Sequence, residues 1–324
     1  MLGRRPHLTG LVAALAAPSA LQAQAPPGRA RVGFLAPVGF AVDNFRRWTV
    51  PELARGGFVE GRNLEIVARF SEGNAERLRA MAAEVLAARP DVVVASSNPA
   101  AYALRAVEPA VRIVMGFAGD DPVAGGLAQS LARPGGTVTG VVILAADLAL
   151  KRLELAREAL PRVRRIGYLA PPVSPARVAA IEAAARSLGA EPVLVHAAGS
   201  EEFDAAFAAL RAGGAEALVL GSAPALAVAS AELAARALAA RLPAVCEWRG
   251  APGSGCLFSY GYDRPALFRR VAGYVLRVLR GEAPGAIPME RADRFEQVVD
   301  LRTARALGVE LPPLLLARAD EVLE

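Results

Sequence analysis

The chain has 324 residues, 54% of them hydrophobic and 21% charged, with a formal net charge of +5. That length fits two domains of ordinary size with buried cores, and the composition argues against a disordered or fibrous chain. Lys151 is the only lysine; the arginines are scattered among Glu and Asp rather than gathered into one stripe, so no nucleic-acid partner is expected.

At the N-terminus, Arg4 and Arg5 precede an apolar run from Leu8 to Ala17 that is too short to cross a bilayer. Small residues follow, with a cleavage position after Ala23 or Ala25, and Pro18 speaks against a first core helix. Residues 1–25 are therefore expected to be a secretory signal peptide, and the mature chain a soluble protein of the periplasm that does not span the membrane.

From about residue 30, β-branched runs alternate with helical periodicity. Strands are predicted at Arg31–Ala36, Leu64–Phe70, Val92–Ser96, Ile113–Phe117 and Val138–Ile143. A second series covers Ile166–Ala170, Pro192–Ala197, Ala217–Leu220, Ala244–Glu247 and Leu257–Tyr260. Helices are predicted at Glu76–Ala88, Leu148–Leu160, Pro175–Leu188, Phe203–Ala212, Ala227–Ala240 and Pro265–Leu279, with a strand at Phe295–Asp300 and a last helix at Pro313–Leu323. Apolar strands alternating with helices predict an α/β fold with parallel sheets covered on both faces. The segment RVGFLAP (Arg31 to Pro37) recurs as RIGYLAP (Arg165 to Pro171). The repeat divides the chain into two Rossmann-like lobes joined by a hinge: residues 30–145 with part of 264–290, and residues 146–262 with part of 291–324. The two cysteines, Cys246 and Cys256, flank a Gly/Pro-rich turn that permits either a disulfide or two small buried thiols.

Catalytic patterns are missing. There are two histidines, His7 in the signal segment and His196 near a strand end, and no G-x-S-x-G, H-E-x-x-H or P-loop motif. No metal or organic cofactor is expected. Ligands of open α/β sheets sit beyond the C-terminal strand ends, where helix N-termini offer free N–H groups. The loop Ser96-Ser97-Asn98-Pro99 fits either an anionic head group held by Ser97 and Asn98 or plain helix capping. In Gly119-Asp120-Asp121-Pro122, the carboxylates fit an ammonium or sugar hydroxyls, or again a cap. Glu247 and Trp248 end one strand of the second lobe, and Tyr260, Tyr262 and Asp263 follow another. An aromatic ring there stacks on a solute or packs the hinge, and Asp263 fixes an amine or caps the following helix.

Five phrases carry a resemblance: GGFVEGRNLEI (Gly56 to Ile66), SLARPGGTVTGV (Ser130 to Val141), KRLEL (Lys151 to Leu155), FSYGYD (Phe258 to Asp263) and LPPLLLARADEVLE (Leu311 to Glu324). They resemble, over nearly the whole mature chain, the ABC transporter substrate-binding family that includes tryptophan-uptake binding proteins. The resemblance implies a type I periplasmic-binding-protein fold that closes like a Venus flytrap around a small molecule; it does not fix which one, and an amino acid or aromatic compound is the expected ligand. It also implies delivery to permease and ATPase subunits, without enzymatic activity. The family's T/S-P-A, D-P-V, T-G-V and S-Y-G-x-D segments fall on Asn98 to Ala100, Asp121 to Val123, Thr139 to Val141 and Ser259 to Asp263. That places Thr139 and Gly140 with Ser97, Asn98, Asp121, Glu247, Tyr260 and Asp263 as expected ligand-binding residues. Where family members often carry Asn-Pro-x-Asn, this chain has Pro171-Pro172-Val173-Ser174 and lacks those amides. A periplasmic ligand sensor of the same fold, or an exported α/β enzyme using Asp120, Asp121 or Glu247, are the alternatives.

Overall fold

The computed structural model describes residues 28–250 and 253–324; the expected signal peptide, residues 1–25, lies outside the described residues. In the first lobe, β1 (Ala30–Ala36) leads through α1 (Gly39–Asn44), a π-helical turn (Phe45–Thr49) and α2 (Val50–Arg55) to β2 (Leu64–Phe70). The series continues with α3 (Ala75–Ala87), β3 (Val92–Ala95), α4 (Asn98–Val107), β4 (Ile113–Ala118) and β5 (Val138–Val142). The second lobe runs α5 (Ala145–Ala159), β6 (Arg165–Ala170), α6 (Pro175–Ser187), β7 (Glu191–His196), α7 (Phe203–Ala212), β8 (Ala217–Leu220), α8 (Pro224–Val228), α9 (Ser230–Ala239), β9 (Ala244–Cys246) and β10 (Cys256–Tyr262). The chain then returns. α10 (Arg264–Leu279) packs on the first sheet and β11 (Glu290–Arg291) joins it. β12 (Phe295–Asp300), α11 (Leu301–Leu307), α12 (Pro313–Ala317) and β13 (Glu321–Leu323) complete the second lobe.

The strand orders are β11-β5-β4-β3-β1-β2 and β13-β12-β10-β9-β8-β6-β7. Pairing is parallel in both sheets apart from β10 with β12. β1 lies between β2 and β3, and β6 between β7 and β8, so the repeated heptapeptides occupy the same place in each lobe. Successive side chains alternate between two covered faces. Val32, Phe34 and Ala36 join Val92 and Val94 in one core, whereas Leu35 joins Val93 and Ala95 in the other. Burial on both faces is what makes these strands near-continuous apolar runs.

Three segments cross between the lobes, after β5, β10 and β11. They are tied sideways: the Tyr262 hydroxyl donates to the Ile143 carbonyl, the Asp263 N–H to the Arg294 carbonyl at 3.1 Å, and the Ala292 N–H to the Val142 carbonyl at 2.9 Å. Leu144, in the first crossing, has a left-handed backbone (φ 41°), a conformation that L-residues with a branched side chain rarely adopt. Short, laterally bonded crossings of this kind let two rigid bodies rotate with the strain confined to a few residues.

Two predicted helices end differently. The span Ala227–Ala240 is split: Pro224 opens α8 early, and Ala229 leaves helical geometry (φ −86°, ψ 10°) before α9. The span Pro313–Leu323 stops at Ala317, because Asp320 is captured by Gln297. The Gln297 N–H donates to the Asp320 carboxylate at 2.8 Å, and the Asp320 N–H donates to the Gln297 carbonyl at 2.9 Å. The chain is thereby drawn alongside β12 as β13.

Cys246 and Cys256 form a disulfide with their Cα atoms 5.9 Å apart. The bond joins the ends of β9 and β10 and closes the loop that begins with Glu247 and Trp248. For a loop of about ten residues, chain entropy assigns such a bond about 2.5 kcal/mol. Reduction, or replacement of both cysteines by serine, is expected to lower the melting temperature by several degrees in a thermal scan with and without dithiothreitol. An unchanged melting temperature would show that the loop is held by its other contacts.

Candidate ligand-binding cleft

In each lobe the strand order reverses beside the opening strand, at β1/β3 and at β6/β8, and loops leaving the C-terminal strand ends diverge there to form a crevice. The two crevices face each other across a cavity of about 290 Å³, close to the lower bound, ~300 Å³, of pockets that enclose a small molecule. The first lobe contributes the start of α1, the Ser96–Pro99 loop, Phe117 and the Gly119–Asp120 turn; the second contributes Arg177, Ser222–Pro224, Glu247 and Trp248; Arg264 and Phe268 project from α10.

The local structure explains each position. Ser97 is the N-cap of α4, its Oγ accepting from the Ala100 N–H at 3.2 Å. Asn98 is 2% exposed. Its amide nitrogen donates to the Asp120 carbonyl at 3.2 Å and its amide oxygen accepts from the Asp120 N–H at 3.1 Å, so one side chain locks two cleft loops together. Beside it, the buried Ser96 hydroxyl has no hydrogen-bond partner among the described residues, nor does the indole N–H of Trp248. Both residues line the cavity, but these polar atoms themselves are shielded from it.

Phe40, Phe117, Trp248 and Phe268 supply apolar wall. Phe117 meets Phe268 edge-on at 4.9 Å between centroids, and the Arg264 guanidinium lies 4.4 Å over the Trp248 ring, a favourable cation–π geometry. Across the cleft mouth Arg177 of α6 approaches Asp120 at 3.5 Å, an ion pair between the two lobes. Asp120 is two-thirds exposed, so this contact contributes little by itself and is free to exchange for a ligand.

Glu247 is the buried charge of the cleft, 8% exposed. Burial pushes its carboxyl above the usual carboxylate range, while Arg152, a hydrogen bond with Ser222 and Arg264 pull the other way. Burial likewise lowers the Arg264 guanidinium, opposed by Glu247 and Glu296, and raises the Tyr168 hydroxyl, opposed by Arg152 and Arg177.

Of the residues singled out in the sequence, Ser97, Asn98 and Glu247 line this cavity together; the other five do not. Asp121 is turned outward and caps the next turn, accepting from the Val123 N–H at 2.8 Å, and its neighbour Asp120 faces the cleft instead. Thr139 is fully buried, its hydroxyl donating to the Ile287 carbonyl at 2.7 Å, and Gly140 lies against the Met115 backbone. The Tyr260 ring stacks on Phe295 at 5.8 Å. Asp263 caps α10, accepting from the Ala266 N–H at 2.9 Å. His196 sits exposed at the end of β7. Sequence reasoning missed Phe40, Phe117, Arg177, Arg264 and Phe268. The rings read as ordinary core residues, and the arginines as helix-surface charge. Among the described residues no group of acidic, histidine and cysteine side chains is arranged to hold a metal, and no helix is long and apolar enough to cross a membrane.

A family model for the ABC transporter substrate binding protein matches residues 41–323. The chain is 26% identical over 275 residues to a tyrosine-binding protein of Clostridioides difficile, covering 83% of this chain and 78% of that protein. Among solved structures it is similar to a conserved domain protein from Vibrio cholerae, at 27% identity and a TM-score of 0.82 over 90% of this chain and 99% of the other. An ABC domain from Streptococcus pneumonia, solved in complex with L-Trp, shares the fold at 22% identity and a TM-score of 0.82, covering 91% of this chain and 100% of the other.

Proposed function

Because the chain belongs to the ABC transporter substrate-binding protein family, we propose that it is the extracytoplasmic receptor of an importer, binding an aromatic amino acid between its lobes. The observation that carries the ligand class is the meeting, in one cavity, of four rings with a buried carboxylate. In this reading Phe40, Phe117, Trp248 and Phe268 enclose the ligand's ring. Glu247 accepts its ammonium, and its carboxylate meets Ser97, the N-terminus of α4 and Arg177. The tyrosine-binding relative supports the same class. Residues 1–25 act as the export signal into the periplasm. Residues 30–145 with α10 and β11, and residues 146–262 with the C-terminal elements, act as the moving lobes. Ligand touching both lobes favours the closed form by its differential affinity for it, and that form docks on a permease whose ATPase partner lies across the membrane. The ligand is handed on chemically unchanged.

A thermal-shift series on the mature chain tests this, since a ligand that binds only the folded state raises its melting temperature. L-Tyrosine, L-tryptophan or L-phenylalanine is expected to raise it, with tyramine and 3-phenylpropionate, each lacking one charged group, giving smaller shifts. A shift with a sugar or nucleoside and none with any aromatic amino acid would replace the ligand class. Conversion of the bound compound during incubation would replace a receptor by an enzyme.

A further inference from the structure

Arg152, in the KRLEL segment of α5, is fully buried and does not line the cleft. Its guanidinium donates through Nη2 to the Ser222 Oγ at 2.7 Å and through Nη1 to the Tyr260 carbonyl at 3.2 Å, while Nε has no partner among the described residues. Ser222 and Glu247 both line the cleft, and Glu247 follows Cys246, which lies opposite Ser259 in the β9–β10 register, so the Tyr260 carbonyl and the Ser222 hydroxyl that hold the guanidinium both belong to the surroundings of Glu247. Two residues beyond Tyr260, the Tyr262 hydroxyl holds the Ile143 carbonyl in the first crossing between the lobes. The guanidinium therefore stands between the carboxylate at the cleft wall and the strands of the hinge. A buried arginine bonded only to neutral groups is costly unless a carboxylate balances its charge, and among the described residues it has no salt bridge of its own.

We propose that Arg152 is a positioning residue: it serves as the internal counter-ion of Glu247, holding that carboxylate ionised and oriented for the ligand through Ser222, and it ties the same carboxylate to the hinge through Tyr260. The ligand-facing half of this statement rests on the aromatic amino acid reading; the counter-ion half does not. The charged and titratable groups around Glu247 are Arg152 from α5, Arg264 from α10, Tyr168 from β6 and Tyr262 from β10. Of the two cations, Arg264 is partly exposed, stacked on Trp248 and also attracted by Glu296. Arg152 is the more enclosed, and among the groups opposing the effect of burial on Glu247 it acts most strongly. Removing it makes Glu247 take up a proton at a higher pH.

The test uses the empty protein, so it stands whether or not an aromatic amino acid binds. The chain has two tryptophans, and Trp48→Phe leaves Trp248, next in sequence to Glu247, as the reporter. In that background the fluorescence of Trp248 is expected to show a pH transition that Glu247→Gln abolishes. Arg152→Met is expected to move the midpoint up by about one pH unit or more, and Arg152→Lys, which keeps the charge, to return it towards the parent. A purely structural role for Arg152 would lower the melting temperature without moving that midpoint. Melting temperatures at neutral pH complete a double-mutant cycle: Arg152→Met leaves the Glu247 carboxylate unbalanced and lowers the melting temperature, and adding Glu247→Gln recovers much of that loss. An unmoved midpoint in Arg152→Met overturns the proposal, as does a transition that survives Glu247→Gln. If Arg152→Met fails to fold, folding of the double variant upholds the pairing and its failure to fold overturns it. Loss of L-tyrosine affinity in Arg152→Met, when the wild type binds it, extends the result to the ligand; wild type that binds no aromatic amino acid counts against the ligand class alone.

Discussion

Glu247→Gln is expected to weaken L-tyrosine binding at neutral pH by about 3 kcal/mol, on the order of a hundredfold, the range seen when one side of a buried charge pair is neutralised. The substitution keeps the shape of the side chain but removes the charge that would meet an ammonium. Its effect also has a definite pH signature. Burial raises the Glu247 carboxyl above its ordinary range, so wild-type affinity falls as pH drops through that raised value, and the variant's affinity does not follow. Stability of the empty protein moves the other way. Between the ordinary carboxylate value and the raised one, the folded state holds the proton more tightly than the unfolded state, so mild acidification stabilises the empty chain through this group. Calorimetric titration with L-tyrosine between neutral and mildly acid pH, beside melting curves of the empty protein, separates the two. Equal affinities for wild type and variant would place the ammonium elsewhere.

The architecture was readable because its signals are local. β1, β2 and β8 begin or end within a residue of their predicted limits, since strands buried on both faces must be apolar at consecutive positions and are bounded by turns. The halves aligned through one repeated heptapeptide whose two copies became β1 and β6. What escaped was set by distant partners. Nothing near Glu321 announces a strand; Gln297, far back in the chain, supplies the edge that β13 joins. The same holds for the cleft. Ser97 and Asn98 were visible as a capping pattern after a strand, and Glu247 as an acid at a strand end. Arg177, Arg264 and Phe268 enter the cleft only because α6 and α10 are brought across it, and no spacing within those helices distinguishes them from surface arginines or a core ring. Thr139 and Gly140 show the reverse. A family motif drew attention to them, and the structure places both away from the cavity, in the seam between β4, β5 and the segment around Ile287.

That seam yields the second large effect. Gly140→Ala is expected to destabilise the protein by about 4 kcal/mol, combining a backbone conformation that disfavours side chains with overlap against a rigid neighbour. The Gly140 backbone has φ +131°, and a Cβ there would lie 2.2 Å from the Met115 carbonyl oxygen and 2.5 Å from the Met115 nitrogen. Those are main-chain atoms of the paired strand, Met115 opposite Gly140 in the β4–β5 register, so relief requires separating the two strands. Gly126 is the control. It also has a positive φ, +69°, but open space around the position of a Cβ, so Gly126→Ala carries the conformational part alone, about 1 kcal/mol. Denaturant unfolding of both variants separates strain from overlap. If Gly140→Ala instead unfolds like the wild type and loses ligand affinity, the T-G-V motif is a contact with the ligand, and the cavity described above has a different floor.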